Sequence, residues 1–396
     1  MTDNPTGTAA ATALHVAVVA APGLVADHDL LAEITDAESA RLGVTGRLVA
    51  AADADRFREL LDDTGRDPET ALVALPGPDP DVRGLMRPAG PHAARTVWCD
   101  LTGTGPTRVA AGSAHIEGRG IWGLTWALRH AVHRLRRPAR RIRYGPGPDQ
   151  WGELRMPPST GTAPPPVAVL LHGGYWRSVW GADLMDALAI DLADRGYAAW
   201  NLEYRRPDRH GWAATTADVA AGLATLAGAQ TGGPPPGLDL DRVSVIGHSA
   251  GGQLALRLAA DAGPPSGVRS GGAVPVALAV SLAGVLDLVA GHRRGVGTGA
   301  VPAALGGGPE DLPERYAAAD PMRRLPLGVA QLIVQGDRDD LDLIDFNRRY
   351  VTAAREAGEE VGWLELPGDH FSAIDPAAGI WHATVGELGR RLGRSS

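Results

Sequence analysis

Five residues, Gly247-His248-Ser249-Ala250-Gly251, fit the pattern G-x-S-x-G. An apolar strand pattern (VSVI) precedes them and a helical one (QLALRLAA) follows. A chain that turns from strand to helix in so little space holds its serine in a strained conformation with the hydroxyl exposed. Small neighbours leave room for the approach, and the start of a helix favours developing negative charge. Serine is a weak nucleophile until a base takes its proton. Three histidines follow Ser249: His292, His370 and His382. His292 falls in a Gly/Arg-rich loop pattern and His382 in a terminal helix pattern. His370 follows the strand pattern WLELP in a Gly-Asp-His-Phe turn, where a mobile base belongs. The acid should end the strand before it. QLIVQGDRDDLD offers Asp337, Asp339, Asp340 and Asp342, and the Gly-x-x-Asp spacing favours Asp339; Asp337, Asp340 and the more distant Asp287 are alternatives. An exposed acidic turn accounts for the rest. His172-Gly173-Gly174-Tyr175-Trp176 follows another strand pattern. Gly173 and Gly174 let such a loop fold so that its amides converge on an oxyanion. The amides of Gly174, Tyr175 and Ala250 are the candidate donors. Tyr175 and Trp176 are candidate walls of an acyl or leaving-group pocket, with ordinary core packing as the alternative. His172 reads as a structural brace rather than a base.

Two blocks of alternating strand and helix patterns position these residues. The first covers 13–137: strand patterns at 13–23, 47–52, 70–78 and 94–103, and helix patterns at 27–43, 54–65 and 120–137. The second covers 141–396: strand patterns at 167–174, 197–205, 242–248, 274–284, 330–337 and 360–370, with helices between. Such alternation predicts parallel sheets covered by helices on both faces. The expected fold class is α/β: a flavodoxin-like parallel-sheet domain, then a larger doubly wound domain. The seam RLRRPARRIR (134–143) reads as a solvated helix end and a proline break; an acidic docking strip is the sharper alternative. The Gly/Pro-rich stretch 291–313 reads as a loop that either caps the site or is a surface insertion.

Composition narrows the function classes. The chain has 396 residues and a formal charge of -8, with 44% hydrophobic residues. That is a globular composition, and its acidity argues against a nucleic-acid surface. The single cysteine, Cys99, excludes an internal disulfide and fits a reducing compartment. No run of about 18 uncharged apolar residues and no targeting signal is present, so the expectation is a cytoplasmic protein without a membrane partner. No HExxH or CxxC spacing occurs, so neither a metal nor an organic cofactor is expected.

HGGYWRS (172–178), NLEYRRP (201–207), GHSAGGQLAL (247–256), GDRDD (336–340) and GDHF (368–371) together resemble the α/β-hydrolase superfamily. Within it, the likeness is to the esterase and arylformamidase group, and HGGYW is similar to kynurenine-formamidase-like proteins. YGPGPDQWGELRMP (144–157) resembles that group's first hairpin. The first block is more distantly similar to type II 3-dehydroquinate dehydratase, carried by VAVVAAPGL (16–24), ALPG (74–77), VWCDLTG (97–103) and HIEGRGIWGLTWAL (115–128). It departs from that family where the chemistry lies. Ala20 and Gly23 replace the first loop's asparagine, and the lid's arginine and tyrosine have no counterpart. Leu75 and Asp81 stand in the next loop, and Asp100 stands in place of a histidine. The resemblance therefore implies a non-catalytic domain used for homo-oligomeric assembly or for gating.

The expectation is a serine hydrolase acting on a small-molecule acyl ester or arylformamide through Ser249, His370 and Asp339. Acyl transfer or cyclisation by the same triad, and a non-catalytic scaffold, are the alternatives.

Overall fold

The computed structural model describes residues 14–105, 107–158, 163–228, 237–265 and 274–393. The chain divides between Pro138 and Ala139 into two units.

In the first unit, strands β1 (His15–Ala20), β2 (Thr45–Ala50), β3 (Thr70–Leu75), β4 (Thr96–Asp100) and β5 (Ala114–Glu117) form one sheet in the order β2-β1-β3-β4-β5. All four pairings are parallel. This is the flavodoxin-like order, in which the chain reverses direction across the sheet between β1 and β3. The central strands read as continuous apolar runs because helices cover both faces. TALVAL of β3 is wholly buried. Helices α1 (His28–Leu42), α2 (Ala54–Arg66), α3 (Pro80–Gly84) and α4 (Trp122–Arg136) complete the unit. Asp27 caps α1 by accepting from the amides of Asp29 and Leu30, each at 3.0 Å, and left-handed Gly43 (φ 65°) ends it. The short β5 and α3 carry too little pattern to be read from sequence.

The second unit is a mixed sheet of eight strands in the order β13-β12-β11-β10-β8-β9-β7-β6. Its strands are β6 (Arg140–Arg143), β7 (Trp151–Arg155), β8 (Pro166–Leu171), β9 (Ala198–Leu202), β10 (Asp239–His248), β11 (Leu278–Leu282), β12 (Gln331–Gly336) and β13 (Val361–Leu366). The pairings of β7 with β6 and with β9 are antiparallel; the rest are parallel. The helices are α5 (Asp186–Asp194), α6 (Pro207–His210), α7 (Trp212–Ala224), α8 (Ala250–Ala262), α9 (Leu288–Arg293), α10 (Val296–Leu305), α11 (Pro313–Ala319), α12 (Pro321–Arg324), α13 (Leu341–Glu356) and α14 (Gly379–Arg391).

Two expectations change here. The arginine seam is a helix end only as far as Arg136; its second half is edge strand β6, with Ile142 buried and Arg140, Arg141 and Arg143 exposed. Arginines on an outer strand discourage edge-to-edge pairing with another chain. Arg141 also pairs with Glu153 across the hairpin (2.7 Å) and lies over the Trp151 ring (3.8 Å). Within 291–313 the chain is helical up to Leu305, through the end of α9 and the whole of α10, interrupted by a left-handed turn at Gly297, Thr298 and Gly299; 306–312 is a loop. Glycine tolerates that conformation, so a Gly-rich string need not be unstructured. No helix among the described residues is long and apolar enough to cross a membrane.

Candidate active site

Ser249 sits between β10 and α8 with φ 55° and ψ -121°, a conformation L residues rarely hold. Glycines make the turn possible. A Cβ on Gly247 would lie 1.9 Å from the Gly251 carbonyl oxygen, and one on Gly251 would lie 2.2 Å from that of Leu171. The strand and helix therefore press together as closely as backbone permits. Ser249 is only 2% exposed. Ser249 is thus buried instead of standing exposed, because the Gly173 backbone packs directly on it: a Cβ there would be 2.8 Å from Ser249 Cβ.

His370 follows β13, and its Nδ1 lies 3.0 Å from Asp339 Oδ2. Asp339 follows β12, and its side chain is 1% exposed. Burial pushes its carboxyl up, but the hydrogen bond and charge of His370, with the Asp340 amide and Gln335, hold it below the ordinary range. Gln335 Nε2 donates to Oδ2 at 2.9 Å and the Asp340 amide to Oδ1 at 2.6 Å. The other acids are engaged elsewhere. Asp337 Oδ1 accepts from the Gly368 amide (3.1 Å), and Asp340 caps α13 through the Asp342 amide (2.8 Å). Asp287 caps α9 through Ala290 (2.8 Å) and pairs with Arg349 (2.9 Å). His292 lies in α9 and His382 in α14. The Ser249 hydroxyl makes no hydrogen bond among the described residues; in an unliganded site that contact often forms only with substrate in place.

The 172–176 loop ends β8. Gly174 (φ 108°), Tyr175 (φ 52°) and Trp176 (φ 56°) all have positive φ, two of them without glycine's freedom. Strain of this kind persists only where surroundings over-determine it. A Cβ on Gly174 would meet the Trp180 ring at 2.3 Å. Among the described residues no backbone carbonyl accepts the Gly173, Gly174 or Tyr175 amides, and the Ala250 amide opens α8 without an intrahelical acceptor. Tyr175 is half-buried against the left-handed turn at Gly297, where a Cβ would lie 2.6 Å from its ring. Trp176 is no pocket wall. It is 1% exposed, its indole N–H donates to Gln253 Oε1 (3.1 Å), and its ring meets Trp212 edge-on at 6.2 Å. The positive φ at 176 turns the ring into the core.

Behind the loop lies a buried polar network that sequence reasoning missed. His172 stacks on Tyr204 (4.3 Å, 13°), and its Nε2 lies 3.2 Å from Glu203 Oε1. Tyr204 donates its hydroxyl to the His172 carbonyl (2.7 Å), and the Ala182 amide donates to Glu203 Oε2 (3.0 Å). Arg206 bonds Glu203 and lies 3.4 Å from Asp149. Burial pushes the Glu203 carboxyl up, yet Arg206 and His172 hold it well below the usual carboxylate range. The signal available in sequence was charged residues, Glu203 and Arg206, directly after a buried strand.

In the first unit a cavity of about 630 Å³ opens at the carboxyl ends of β1, β3 and β4, lined by Leu24, Gly77, Arg83, Arg87 and Asp100 among others. Asp100 is locked there between Arg83 (2.7 Å) and His115 (2.8 Å). Burial raises its carboxyl, and those two partners more than offset it. No group of three or more His, Cys, Asp or Glu side chains able to hold a metal occurs among the described residues.

A family model described as BD-FAE matches residues 153–345. Esterase LipC of Mycobacterium tuberculosis (strain ATCC 25618 / H37Rv) is 28% identical over 277 residues, which is 63% of this chain and 63% of that protein. The chain therefore spans less than two thirds of that relative's length. Among solved structures, a bacterial heroin esterase superposes with a TM-score of 0.52 at 24% identity, over 65% of this chain and 84% of its own. Esterase B from Lactobacillus Rhamnosis (HN001) gives 0.54 at 20%, over 64% and 84%. At these identities the structures speak to fold alone. Strand order, the strained serine turn and these structural neighbours converge on one fold: the C-terminal part of this chain has the α/β-hydrolase fold, and a sequence relative of it is an esterase.

Proposed function

We propose that the chain is a serine esterase working through an acyl-enzyme intermediate. The observations that carry this reading are the buried Asp339 carboxylate 3.0 Å from His370 Nδ1 and a serine held at φ 55° in the strand-to-helix turn. That pairing places the proton on Nδ1 and leaves Nε2 as the base. In this reading Ser249 Oγ attacks the acyl carbon as Nε2 takes its proton. The oxyanion meets the Gly173, Gly174, Tyr175 and Ala250 amides, each worth on the order of 3 kcal/mol in the transition state. The imidazolium then protonates the departing alcohol. Water, deprotonated by the same nitrogen, attacks the acyl carbon and releases the acid, restoring Ser249. Small acyl esters are the leading substrate class, supported by LipC; N-formyl aryl amides come second, supported by HGGYW (172–176). The test is turnover of p-nitrophenyl esters and N-formyl anilides by wild type and Ser249→Ala. Equal turnover by both proteins, or no fluorophosphonate labelling of Ser249 in folded protein, would sink the reading.

In the same reading the N-terminal unit serves assembly and no second chemistry. Among the described residues, three of the five exposed large apolar side chains, Val25, Leu30 and Trp122, lie in it. Light scattering of the full chain should give an oligomer that Val25→Asp with Trp122→Asp dissociates; a monomeric wild type refutes it.

A further inference from the structure

The residue between Gly247 and the nucleophile has no role in the mechanism above. G-x-S-x-G leaves its identity open, since the turn needs only its small neighbours. Here it is His248, 1% exposed, with Nε2 3.0 Å from the backbone carbonyl oxygen of His370. Its ring lies 4.6 Å from the His370 ring, tilted by 47°, and 5.9 Å from that of Phe371. A carbonyl only accepts, so Nε2 carries the proton. Burial first, and the neighbouring His370 second, push the His248 imidazole down to about 3, so it stays neutral and Nδ1 stays bare. That nitrogen is buried and has no partner among the described residues. It packs against the oxyanion loop, where a Cβ on Gly173 would come within 3.1 Å of it. A buried unsatisfied nitrogen costs stability, so a chain that needed only packing here would be served better by an apolar residue.

The three groups of the triad leave the sheet at three places. Ser249 follows β10, Asp339 follows β12 and His370 follows β13, with β11 between β10 and β12. Most of the bonds holding the histidine loop fix it to its own side of the sheet. The Arg338 amide donates to the Gly368 carbonyl (2.9 Å), the Gly368 amide to Asp337 (3.1 Å), and Asp369 accepts from the Phe371 and Ser372 amides (3.1 and 2.8 Å). Asp339 sets the ring's orientation but also belongs to that side. The hydrogen bond from His248 reaches across to the strand that carries the nucleophile.

We propose that His248 is a positioning residue: its Nε2–H tethers the His370 backbone to the nucleophile strand and sets the reach between His370 Nε2 and Ser249 Oγ. This rests on the esterase reading, and the experiment separates the two. Wild type must first turn over a p-nitrophenyl ester and label at Ser249; if it does not, the esterase reading fails independently of His248. With an active wild type, His248→Phe keeps a ring and removes the donor. A misplacement of about an ångström costs about 100-fold, so kcat and the rate of fluorophosphonate labelling should fall about that far, with KM within about threefold. His248→Gln, whose amide can donate to the same carbonyl, should recover most of the loss. A His248→Phe kcat close to wild type, a KM rise matching the kcat loss, or a Gln variant as impaired as Phe overturns the proposal. Should the Phe variant not fold, nitrogen-detected NMR of the wild-type side chain decides: a neutral Nε2–H tautomer from pH 5 to 8 supports the tether, and an Nδ1–H tautomer or a titrating ring overturns it.

Discussion

Asp339→Asn is the most discriminating change at this site, because the neighbours dictate how the new amide must lie. Oδ1 accepts from the Asp340 amide at 2.6 Å, so that position must remain oxygen. The new NH2 then takes the place of Oδ2, facing His370 Nδ1 (3.0 Å) and Gln335 Nε2 (2.9 Å). Gln335 can answer by rotating its own amide, which brings its unpartnered Oε1 to the new NH2 and gives up the Nε2 donation to the Gly336 carbonyl (3.1 Å). His370 cannot answer without harm. Nδ1 becomes an acceptor, the proton moves to Nε2, and the base loses the lone pair that takes the serine proton. The equivalent tautomer error in a serine protease lowers kcat by about 10⁴, which corresponds to about 5.4 kcal/mol of barrier. Stability should fall by about 1–2 kcal/mol, since the bond between residues 335 and 339 is exchanged for another and the one to the Gly336 carbonyl is lost. The assay is steady-state hydrolysis of p-nitrophenyl acetate, with the urea midpoint measured in parallel. Asp337→Asn and Asp340→Asn serve as controls, because their carboxylates bond backbone amides and not the imidazole. An Asp339→Asn kcat within tenfold of wild type, in folded protein, would refute the assignment of the acid.

Three further outcomes are expected. Gly173→Ala brings a methyl within 2.7 Å of the His248 carbonyl oxygen and 2.8 Å of Ser249 Cβ. It should lower kcat by about 10² to 10³ by moving the donor amides and cost about 1–3 kcal/mol of stability through the clash; unimpaired turnover would remove Gly173 from the oxyanion loop. Glu203→Gln leaves buried Arg206 with only the longer contact to Asp149 (3.4 Å) and should cost roughly 3 kcal/mol in urea unfolding, so an unchanged midpoint counts against the brace behind His172. Asp320, 0% exposed, is pushed up to about 7 by burial, with amides of Leu288, Val289 and Met322 opposing and the charge of Asp287 adding. A carboxyl raised from 3.8 holds a proton that the unfolded chain has already lost. Stability should therefore decline as pH rises from about 4 to about 7 and level off above, by roughly 4 kcal/mol at most. Asp320→Asn should flatten that decline, and parallel pH slopes for the two proteins would contradict it.

Much of the site was legible because its parts occur at element ends that composition marks. Ser249 lies between an apolar run and a helix pattern, Asp339 follows the buried strand β12, and His370 follows the half-buried strand β13. What escaped shares a physical cause: a residue's partner is distant in the chain. Glu203 is tolerated in the interior because Arg206 and His172 surround it, and His248 acts through a carbonyl 122 positions away. Trp176 reads as a pocket wall because it closes the loop that carries Gly173 and Gly174; its backbone conformation decides which way it faces, and periodicity carries no such information. Helix α13 begins at Leu341, directly after its capping aspartate, Asp340, which lies in the run that offers the candidate acid. One acidic string serves both purposes, and spacing alone does not divide it.

The contact of Gly251 with the end of β8 reaches beyond turn geometry. With a Cβ there 2.2 Å from the Leu171 carbonyl oxygen and 2.5 Å from that of His172, the helix after the nucleophile and the strand before the donor loop leave no slack between them. In the esterase reading proposed above, attack and charge stabilisation are thus mechanically one part, and neither can be retuned by shifting its own loop. A laboratory search for altered selectivity would waste diversity on 171–174 or 247–251. Variation belongs where the wall over Tyr175 is made of replaceable pieces, beginning with the left-handed turn at 297–299.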